Sequence, residues 1–403
     1  MAGMTSEKGL RRWNALLVLL GLAGIFLWLA RRPAPLPDQA VRPVTGVPLV
    51  PSVPAPIAAA PELPPDLALA LPATEALPAL PPPVLQFQLP TDNQWLLDSQ
   101  PDRFFMFVDR YTPAGQIQVW EGGSYGFVRN PRSTEQGTVY TKFHEGMDIA
   151  PAARDGKGEP TDEVRAIADG TVAHVTASAR TSNYGNYIVV LHEVGKAGVF
   201  YSLYAHLRST GVTVGSAVRR GSPLGMLGHT GDGIDRRRAH VHLEVGMVLS
   251  ERFDEFYAKT TALANRQGNY HGSNLIGFDV AAFFAANHAD ARLMPDQFLR
   301  QQEVYYKIMV PNQGGELELA DRYPWLRQPG PGAASWEISF TGPGVPVAIA
   351  PASGTVPFPT VSWVKPFGGY HSWNTRSLLG GSGNTATLSA EGNRFISLVT
   401  GEF

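Results

Sequence analysis

The segment AHVHLEV, residues 239–245, constrains the fold more than any other stretch of the chain. Its polar residues recur at every second position between apolar ones, a period that predicts a β-strand. His240 and His242 are two residues apart, so their imidazoles face the same side of this strand. Taken alone, such a pair is more often partly exposed on a surface than bound to a metal.

Short runs of the same kind recur after about Thr91. They are rich in β-branched and aromatic residues, lie between glycines that mark turns, and are too short for helices. They predict a mainly β fold of antiparallel strands, without an internal repeat. The runs are FFMFV (104–108), IQVW (117–120), EVRAI (163–167), GTVAHV (170–175), NYIVVLH (186–192), VFYSLYAHL (199–207) and HVHLEV (240–245).

Histidines are concentrated in this part of the chain, since seven of the 10 lie between positions 144 and 242. In FHEGMDIA, three residues separate His144 from Asp148, and in YSLYAHL we expect His206 on the same strand face as Tyr204, opposite Ala205. Imidazoles and carboxylates are suitable zinc ligands, and three protein ligands plus water are typical of a catalytic zinc site. Each motif is weak by itself, but together they indicate a metal centre.

Read in order, these segments resemble the lysostaphin-type zinc endopeptidases, which cut peptidoglycan peptides. FHEGMDIA is similar to the family's His-x-Gly-x-Asp-[IL]-A, and AHVHLEV is similar to its His-Leu-His-Phe-Glu. The resemblance extends from about Tyr125 to Phe284 and implies the family's antiparallel β-sheet domain. The other matching segments are YGFVRNP (125–131), VRAIADGTVAHV (164–175), SNYGNYIVVLH (182–192), YSLYAHL (201–207) and GSPLGMLGHTG (221–231).

The resemblance implies that His144, Asp148 and His242 hold a zinc ion, and that His206 and His240 are unligated catalytic histidines. All five positions are filled, whereas some members of the family have lost ligands and only regulate other hydrolases. Two neutral imidazoles and one carboxylate leave zinc with a net positive charge, which lowers the pKa of bound water towards ~7. We expect the two unligated histidines to move the water's proton and to stabilise the oxyanion, and the sequence leaves open which does which.

The letters HEGMD also resemble the helical His-Glu-x-x-His motif of other metalloproteases, in which Glu145 would be the base. Gly146 within the motif and Pro151 just after it disfavour a helix, and Asp148 stands where the second histidine belongs. We therefore expect Glu145 to face solvent.

Two insertions and a run of arginines depart from the family pattern. PAARDGKGEPTDE (151–163) follows the first ligand pair, and ERFDEFYAKTTALANRQ (251–267) predicts a short helix that either shapes the cleft or simply packs. For Arg236, Arg237 and Arg238 we expect solvated side chains rather than contacts with substrate carboxylates.

Residues 303–403 resemble no family. VYYKIMV (304–310), SWEISF (335–340) and FISLV (395–399) predict β-strands there. The tryptophans of this region indicate core packing, or, if they are exposed, stacking on sugar rings.

The run WNALLVLLGLAGIFLWLA (13–30) predicts a transmembrane helix, because its 18 residues would extend about 27 Å, enough for a hydrocarbon core. A cleaved signal peptide is the alternative, but no small residue stands three before its end and Arg31 and Arg32 follow. Lys8 favours a cytoplasmic N-terminus.

Residues 33–90 hold 17 of the 34 prolines and no lysine, and predict an extended, semi-rigid spacer.

Composition excludes several classes of function. A net charge of −2 supplies no electrostatic footprint for nucleic acid. The absence of cysteine rules out disulfides, thiol nucleophiles and cysteine zinc sites. At 44% hydrophobic residues, the chain has enough apolar side chains for a sizeable core.

The sequence thus predicts a zinc endopeptidase that acts on peptidoglycan peptides and is anchored in the cytoplasmic membrane, with its catalytic domain on the periplasmic side. A non-enzymatic scaffold or activator of other cell-wall hydrolases, and a zinc peptidase acting on proteins, are the alternatives. The predicted parts are a cytoplasmic stub and anchor (1–32), a Pro-rich linker (33–90), a peptidase domain (91–302, core about 125–284) and a β-rich C-terminal region (303–403).

Overall fold

The structure, a computed structural model, describes residues 85–135, 137–180, 182–332 and 334–403. The predicted membrane helix (13–30) and most of the predicted spacer (33–84) lie outside these residues. In the part of the chain that the structure describes, no helix is both long and apolar enough to cross a membrane.

Antiparallel strands dominate the described residues, and the mainly β fold class is confirmed. The strands are β1 (Val108–Thr112), β2 (Gly115–Val119), β3 (Gly126–Thr134), β4 (Gly137–His144), β5 (Met147–Ile149), β6 (Glu163–Arg165), β7 (Gly170–Thr176), β8 (Asn186–Glu193), β9 (Val199–Leu207), β10 (Ser209–Thr210), β11 (Ala217–Val218), β12 (Pro223–Met226), β13 (Val241–Val248), β14 (Leu275–Gly277), β15 (Tyr306–Pro311), β16 (Ser335–Phe340), β17 (Pro346–Ala352), β18 (Thr360–Val364), β19 (Phe367–Tyr370), β20 (Leu379–Gly383) and β21 (Thr385–Leu388).

The α-helices are short, and most of them follow β13 in the chain. They are α1 (Pro101–Phe104), α2 (Phe253–Thr260), α3 (Val280–Ala289), α4 (Pro295–Arg300), α5 (Glu318–Arg322) and α6 (Ala390–Thr400).

A seven-stranded sheet, ordered β11-β7-β8-β9-β13-β14 with β5 also paired to β13, is the scaffold of the predicted peptidase domain. Every residue of β13 is buried. Burial is favourable for its apolar side chains, whereas its polar side chains need hydrogen-bond partners to be buried without a large cost. In the register of β13 with β9, His242 lies opposite Ala205 and Leu243 opposite Tyr204. Because opposed residues share a face, Leu243 and Tyr204 point into the main core, and His242 points to the other side of the sheet.

The last residues of the predicted spacer pack on this domain. Phe87 meets Phe283 edge-on with ring centroids 5.0 Å apart, and Leu89 is buried. Residues 85–90 therefore lie on the folded domain.

The run FFMFV (104–108) does not form the predicted strand. Pro101 begins a single helical turn that ends at Phe104, and β1 begins only at Val108. Phe104 and Phe105 are both buried and pack edge-on, with centroids 5.1 Å apart. Their apolar character reflects this packing rather than a strand.

The region after residue 303 contains two antiparallel sheets, ordered β17-β16-β15-β18 and β19-β20-β21. The predicted strand FISLV (395–399) is wrong, because these residues lie in α6. The Ser389 hydroxyl accepts a hydrogen bond from Gly392 N at the start of this helix, and Gly401 ends it in the left-handed conformation. Trp325 is buried in the core, whereas Trp363 is exposed.

Candidate metal centre and catalytic cleft

Three side chains bring ligand atoms together beside β13. His144 ends β4, Asp148 lies in β5, and His242 lies opposite Asp148 in β13. Asp148 Oδ1 is 3.1 Å from His144 Nε2 and 2.9 Å from His242 Nδ1, and the two nitrogens are 3.1 Å apart. Tetrahedral zinc with bonds of about 2.0–2.1 Å separates its ligands by about 3.3 Å, so this donor set fits a zinc ion.

The turn between His144 and Asp148 depends on Gly146. A Cβ atom at this position would lie 2.3 Å from the carbonyl oxygen of Leu243 in β13. Only glycine lets the turn approach the strand this closely. The helical reading of HEGMD is excluded as well, because this segment is strand, turn and strand.

Hydrogen bonds fix which nitrogen each of the two ligand histidines presents. His144 Nδ1 lies 2.7 Å from the carbonyl oxygen of Ser124, and His242 Nε2 lies 2.9 Å from Glu244 Oε1. Both partners only accept, so these nitrogens carry hydrogen, and a neutral ring leaves its other nitrogen free for a metal. Glu244 is fully buried and also accepts a hydrogen bond of 2.6 Å from the Tyr184 hydroxyl.

Arg129 positions the carboxylate ligand. Its guanidinium donates one hydrogen bond to Asp148 Oδ2 at 2.7 Å and another to the carbonyl oxygen of Gly122 at 2.8 Å. Because Oδ2 is occupied by Arg129, Oδ1 is the oxygen that faces the histidines.

His206 lies on the opposite face of β9 from the one predicted. The Tyr204 hydroxyl accepts a hydrogen bond from Ile167 N in the main core, whereas Ala205 lies opposite His242. His206 joins the Ala205 side, where its ring centroid is 5.9 Å from that of His242. The structure thus brings His206 beside the metal ligands, but on the other face of β9 from the one predicted.

A bulge in β9 causes this reversal. Between the Asn186–Leu207 pair and the Ile188–Tyr204 pair, β9 contains one residue more than β8. His206 itself has a left-handed φ of 63°. Such a backbone costs a non-glycine residue about 1–3 kcal/mol and is concentrated at functional sites, and bulges re-aim side chains in the same way.

His206 and His240 form a second pair beside the metal ligands, with ring centroids 4.8 Å apart. His206 Nδ1 lies 2.9 Å from the carbonyl oxygen of Thr230, and His240 Nδ1 lies 2.6 Å from that of Arg238. Each Nδ1 therefore donates, and each Nε2 is left for the cleft or its contents. His240 Nε2 is 3.3 Å from Asp148 Oδ1.

Burial and the local charges shift the pKa values of the cluster in different directions. Burial holds the pKa of His206 well below its usual range and lowers that of His144. Burial alone would raise the pKa of Asp148, but His144 and His240 outweigh it and hold that pKa well below the usual range. Burial would likewise lower the pKa of His242, but hydrogen bonds to Asp148 and Glu244 raise it to about 10. A metal at this site would compete with a proton for His242.

A polar cleft of about 530 Å³ is lined by His144, Asp148, His206, His240 and His242. Of the three arginines expected to be solvated, Arg237 pairs with Asp109 and Arg236 is exposed, whereas Arg238 lines the cleft. Glu145, expected to face solvent, is partly exposed at the rim of the same cleft.

Several residues of the site were not singled out from the sequence. Glu244 lies in the quoted motif two residues after His242, and the strand period was the signal that could have found it. His271 and Arg376 line the cleft from distant parts of the chain. No pattern in the sequence around either residue indicates that it lies in the cleft.

The comparisons with known proteins give one family and several solved structures. Residues 142–254 match the model described as Peptidase family M23. The catalytic domain of lysostaphin from Staphylococcus simulans is similar at 22% identity, over 39% of this chain and 86% of that chain, with a TM-score of 0.23. A zinc-containing peptidase from Vibrio cholerae is similar at 23% identity, over 34% of this chain and 43% of that chain, with a TM-score of 0.20. None of the curated proteins compared with the chain matches it.

Proposed function

Because residues 142–254 belong to Peptidase family M23, as their motifs predicted, we propose that this protein is a zinc-dependent endopeptidase that hydrolyses peptide bonds of peptidoglycan. The convergence of His144 Nε2, Asp148 Oδ1 and His242 Nδ1 to within 3.1 Å of one another carries the proposal. These residues would hold the zinc ion. A zinc ion bound there supplies a Lewis acid that acidifies water and polarises a carbonyl group.

The remaining histidines handle protons and developing charge. The Nδ1–H of His206 is used by the carbonyl oxygen of Thr230, so its Nε2 is left to accept the proton of the attacking water and return it to the leaving amine. His240 Nε2 faces the same space and can donate to the oxyanion when protonated. The backbone carbonyls of Thr230 and Arg238 hold both rings in the required orientation.

A non-enzymatic scaffold is the alternative from another class. A scaffold has no need of a complete donor set, whereas here all three ligand atoms converge and each has its own positioning partner, Ser124, Arg129 or Glu244. A peptidase that acts on proteins would use the same residues, and only its substrates distinguish it.

Digestion of defined muropeptides tests the proposed activity. The purified protein, loaded with zinc, is incubated with cross-linked and uncross-linked muropeptides, and the products are identified by mass spectrometry. We expect fragments whose summed mass exceeds that of the substrate by one water, formed with zinc and not after chelation. Cleavage of denatured proteins but of no muropeptide would indicate the protein-directed alternative, and cleavage of neither would indicate the scaffold.

We further propose that the apolar run 13–30 anchors the protein in the cytoplasmic membrane and that the spacer holds the peptidase domain away from it, on the periplasmic side. Peptidoglycan lies outside this membrane, so a domain fixed directly to the bilayer could miss its substrate. Prolines resist collapse because their φ angles are fixed.

Spacer length should therefore matter more than spacer sequence. Shortening residues 33–84 to about fifteen should impair wall cleavage in cells without changing the activity of the purified protein. A scrambled spacer of equal proline content is the control and should behave like the original. Recovery of a soluble form that begins shortly after Arg32 would show a cleaved signal and would contradict the tether.

A further inference from the structure

The catalytic cleft continues into a second cavity, which is lined by residues of both the peptidase domain and the C-terminal region. This cavity has a volume of about 540 Å³ and lies between α2 of the peptidase domain and α6 of the C-terminal region. Phe256 and Leu398 line its apolar part. The two cavities share four lining residues, namely His271, Gly272, Ser273 and Arg376. Arg376 is the charged residue among them and comes from the C-terminal region.

The backbone around Arg376 is held in a fixed, unfavourable conformation. Arg376 and Ser377 have left-handed φ angles of 52° and 64°, which non-glycine residues seldom adopt. Hydrogen bonds brace the turn: the fully buried Thr375 donates from its hydroxyl to the carbonyl oxygen of His371 and accepts from Leu379 N. Strain of this kind persists where the surroundings over-determine it, and it is concentrated at binding sites.

The guanidinium of Arg376 keeps its donors available. Among the residues that the structure describes, its nearest acidic partner is Glu145, at 3.7 Å, which is too long for a hydrogen bond. Its side chain is 26% exposed and stands 5.2 Å from the centre of the Phe143 ring. The aromatic face stabilises the cation without using its N–H groups, so these remain free for a ligand.

Arg376 makes no hydrogen bond from its guanidinium to the described residues, whereas the other two arginines of the cleft each use at least one of their N–H donors. Arg129 is committed to Asp148, and Arg238 donates to the carbonyl oxygen of Phe107 at 3.3 Å. A planar fork of free N–H donors matches a carboxylate, which it can bind through two parallel hydrogen bonds.

We propose that Arg376 binds a carboxylate group of the substrate at the junction of the two cavities, so that the C-terminal region selects peptides with a free carboxylate near the cleaved bond. This inference rests on the proposed peptidase function and names its substrate class. Arg376 is a binding residue outside the reacting centre, so its loss raises KM and leaves kcat nearly unchanged.

A matched pair of substrates tests the inference. One is a muropeptide dimer with free stem-peptide carboxylates, and the other is the same dimer after conversion of these groups to carboxamides. For the wild-type protein we expect amidation to raise KM by ~10-fold or more, the scale of a lost charge-assisted bidentate contact. Arg376→Gln should raise KM for the free acid by the same factor and show no further change on amidation. Arg376→Lys keeps the charge but loses the planar fork of N–H donors. Its KM for the free acid should lie between those of the wild-type protein and Arg376→Gln.

Two further variants separate binding from a structural role. Arg327→Gln removes an arginine that pairs with acids of the C-terminal region away from the cleft, and it should leave the selectivity intact. Glu145→Gln removes the long ion pair. If Arg376 only docked the C-terminal region through Glu145, Glu145→Gln and Arg376→Gln would lower the melting temperature and raise KM alike, and the inference would be overturned.

Equal KM values for both dimers in the wild-type protein, or unchanged selectivity in folded Arg376→Gln, would also overturn it. Cleavage of neither dimer would mean that the proposed activity has failed. Calorimetric dissociation constants of the same two dimers then decide the inference separately, since a preference for the free acid that disappears in Arg376→Gln supports it and equal affinities contradict it.

Discussion

The peptidase domain and the C-terminal region line the same cleft, the first with a cluster of buried ionisable groups and the second with Arg376. Among the lining residues from the peptidase domain is a cluster of ionisable groups that are each at most 7% exposed: His144, Asp148, His206, His240 and His242. From the C-terminal region comes Arg376, which is 26% exposed and makes no hydrogen bond to the described residues. Buried groups held by hydrogen bonds keep one geometry, whereas an exposed cation exchanges ligands readily. In our proposal, the chemistry takes place in the first region and the second region recognises the substrate.

Removal of a metal ligand should have the largest effect. His144→Ala, Asp148→Ala or His242→Ala should lose zinc and activity together, with turnover lower by at least ~1,000-fold because Lewis-acid help is worth several kcal/mol. Zinc content by mass spectrometry and turnover on muropeptides are the measurements, with circular dichroism to verify folding. Stoichiometric zinc in His242→Ala would contradict the ligand assignment.

Substitution of His206 or His240 should separate catalysis from metal binding. The Ala variants should retain zinc while turnover falls by at least ~100-fold, the usual scale for lost acid–base or oxyanion help. Metal content and single-turnover rates of the same preparations provide the check. Full activity in His206→Ala would remove this residue from the mechanism.

Glu244→Gln should show how strongly zinc binding depends on a residue that contacts a ligand histidine but is not itself a ligand. It replaces the carboxylate that orients His242, and we expect zinc affinity to fall by ~10–100-fold, as for other carboxylates that support a ligand histidine. Competition with a chromogenic chelator measures this affinity. Glu193→Gln, an exposed carboxylate at the end of β8, is the control and should bind zinc like the wild-type protein.

Substitution of His192 should have the smallest effect of these changes. It tests the pKa shift of a buried histidine that lies away from the cleft. It is 2% exposed, and burial lowers its pKa to about 4. Because this folded-state pKa lies below the unfolded value of about 6.5, the stabilisation is present above pH 6.5 and is lost as the pH falls towards 4.

Between pH 7 and 5.5 this histidine should account for about 1 kcal/mol of lost unfolding free energy. Urea unfolding at both pH values should therefore show a smaller loss in His192→Gln than in the wild-type protein. His288→Gln, at an exposed position, should not change the pH dependence. An identical slope in all three proteins would show that His192 is not held neutral.

The sequence predicted the parts of the fold that local pattern determines. VFYSLYAHL coincides with β9 and SWEISF with β16, because in both an uninterrupted β-favouring run lies between turn residues. FISLV was predicted wrongly although helix signals flank it, namely the capping Ser389 and the left-handed Gly401. An apolar run of five residues fits a strand or a buried helix segment equally well, and the residues at its boundaries decide between them.

In the cleft, the five predicted positions lie together, but their geometry was only partly predictable. The side of β9 on which His206 lies depends on a bulge against β8, which no pattern within β9 reveals. Arg376 reaches the cleft through the packing of the C-terminal region, more than two hundred residues from His144 in the chain. Contacts of this range follow from tertiary structure alone.

Zinc X-ray absorption spectroscopy of the loaded protein tests the division into metal ligands and catalytic histidines most directly. The multiple-scattering signal counts imidazole ligands, and the account predicts two, from His144 and His242, with oxygen donors completing the coordination. In His206→Ala and His240→Ala the count should stay at two, and in His242→Ala any residual zinc should show one at most. Three or four imidazoles in the wild-type protein, falling by one in His206→Ala or His240→Ala, would contradict the account.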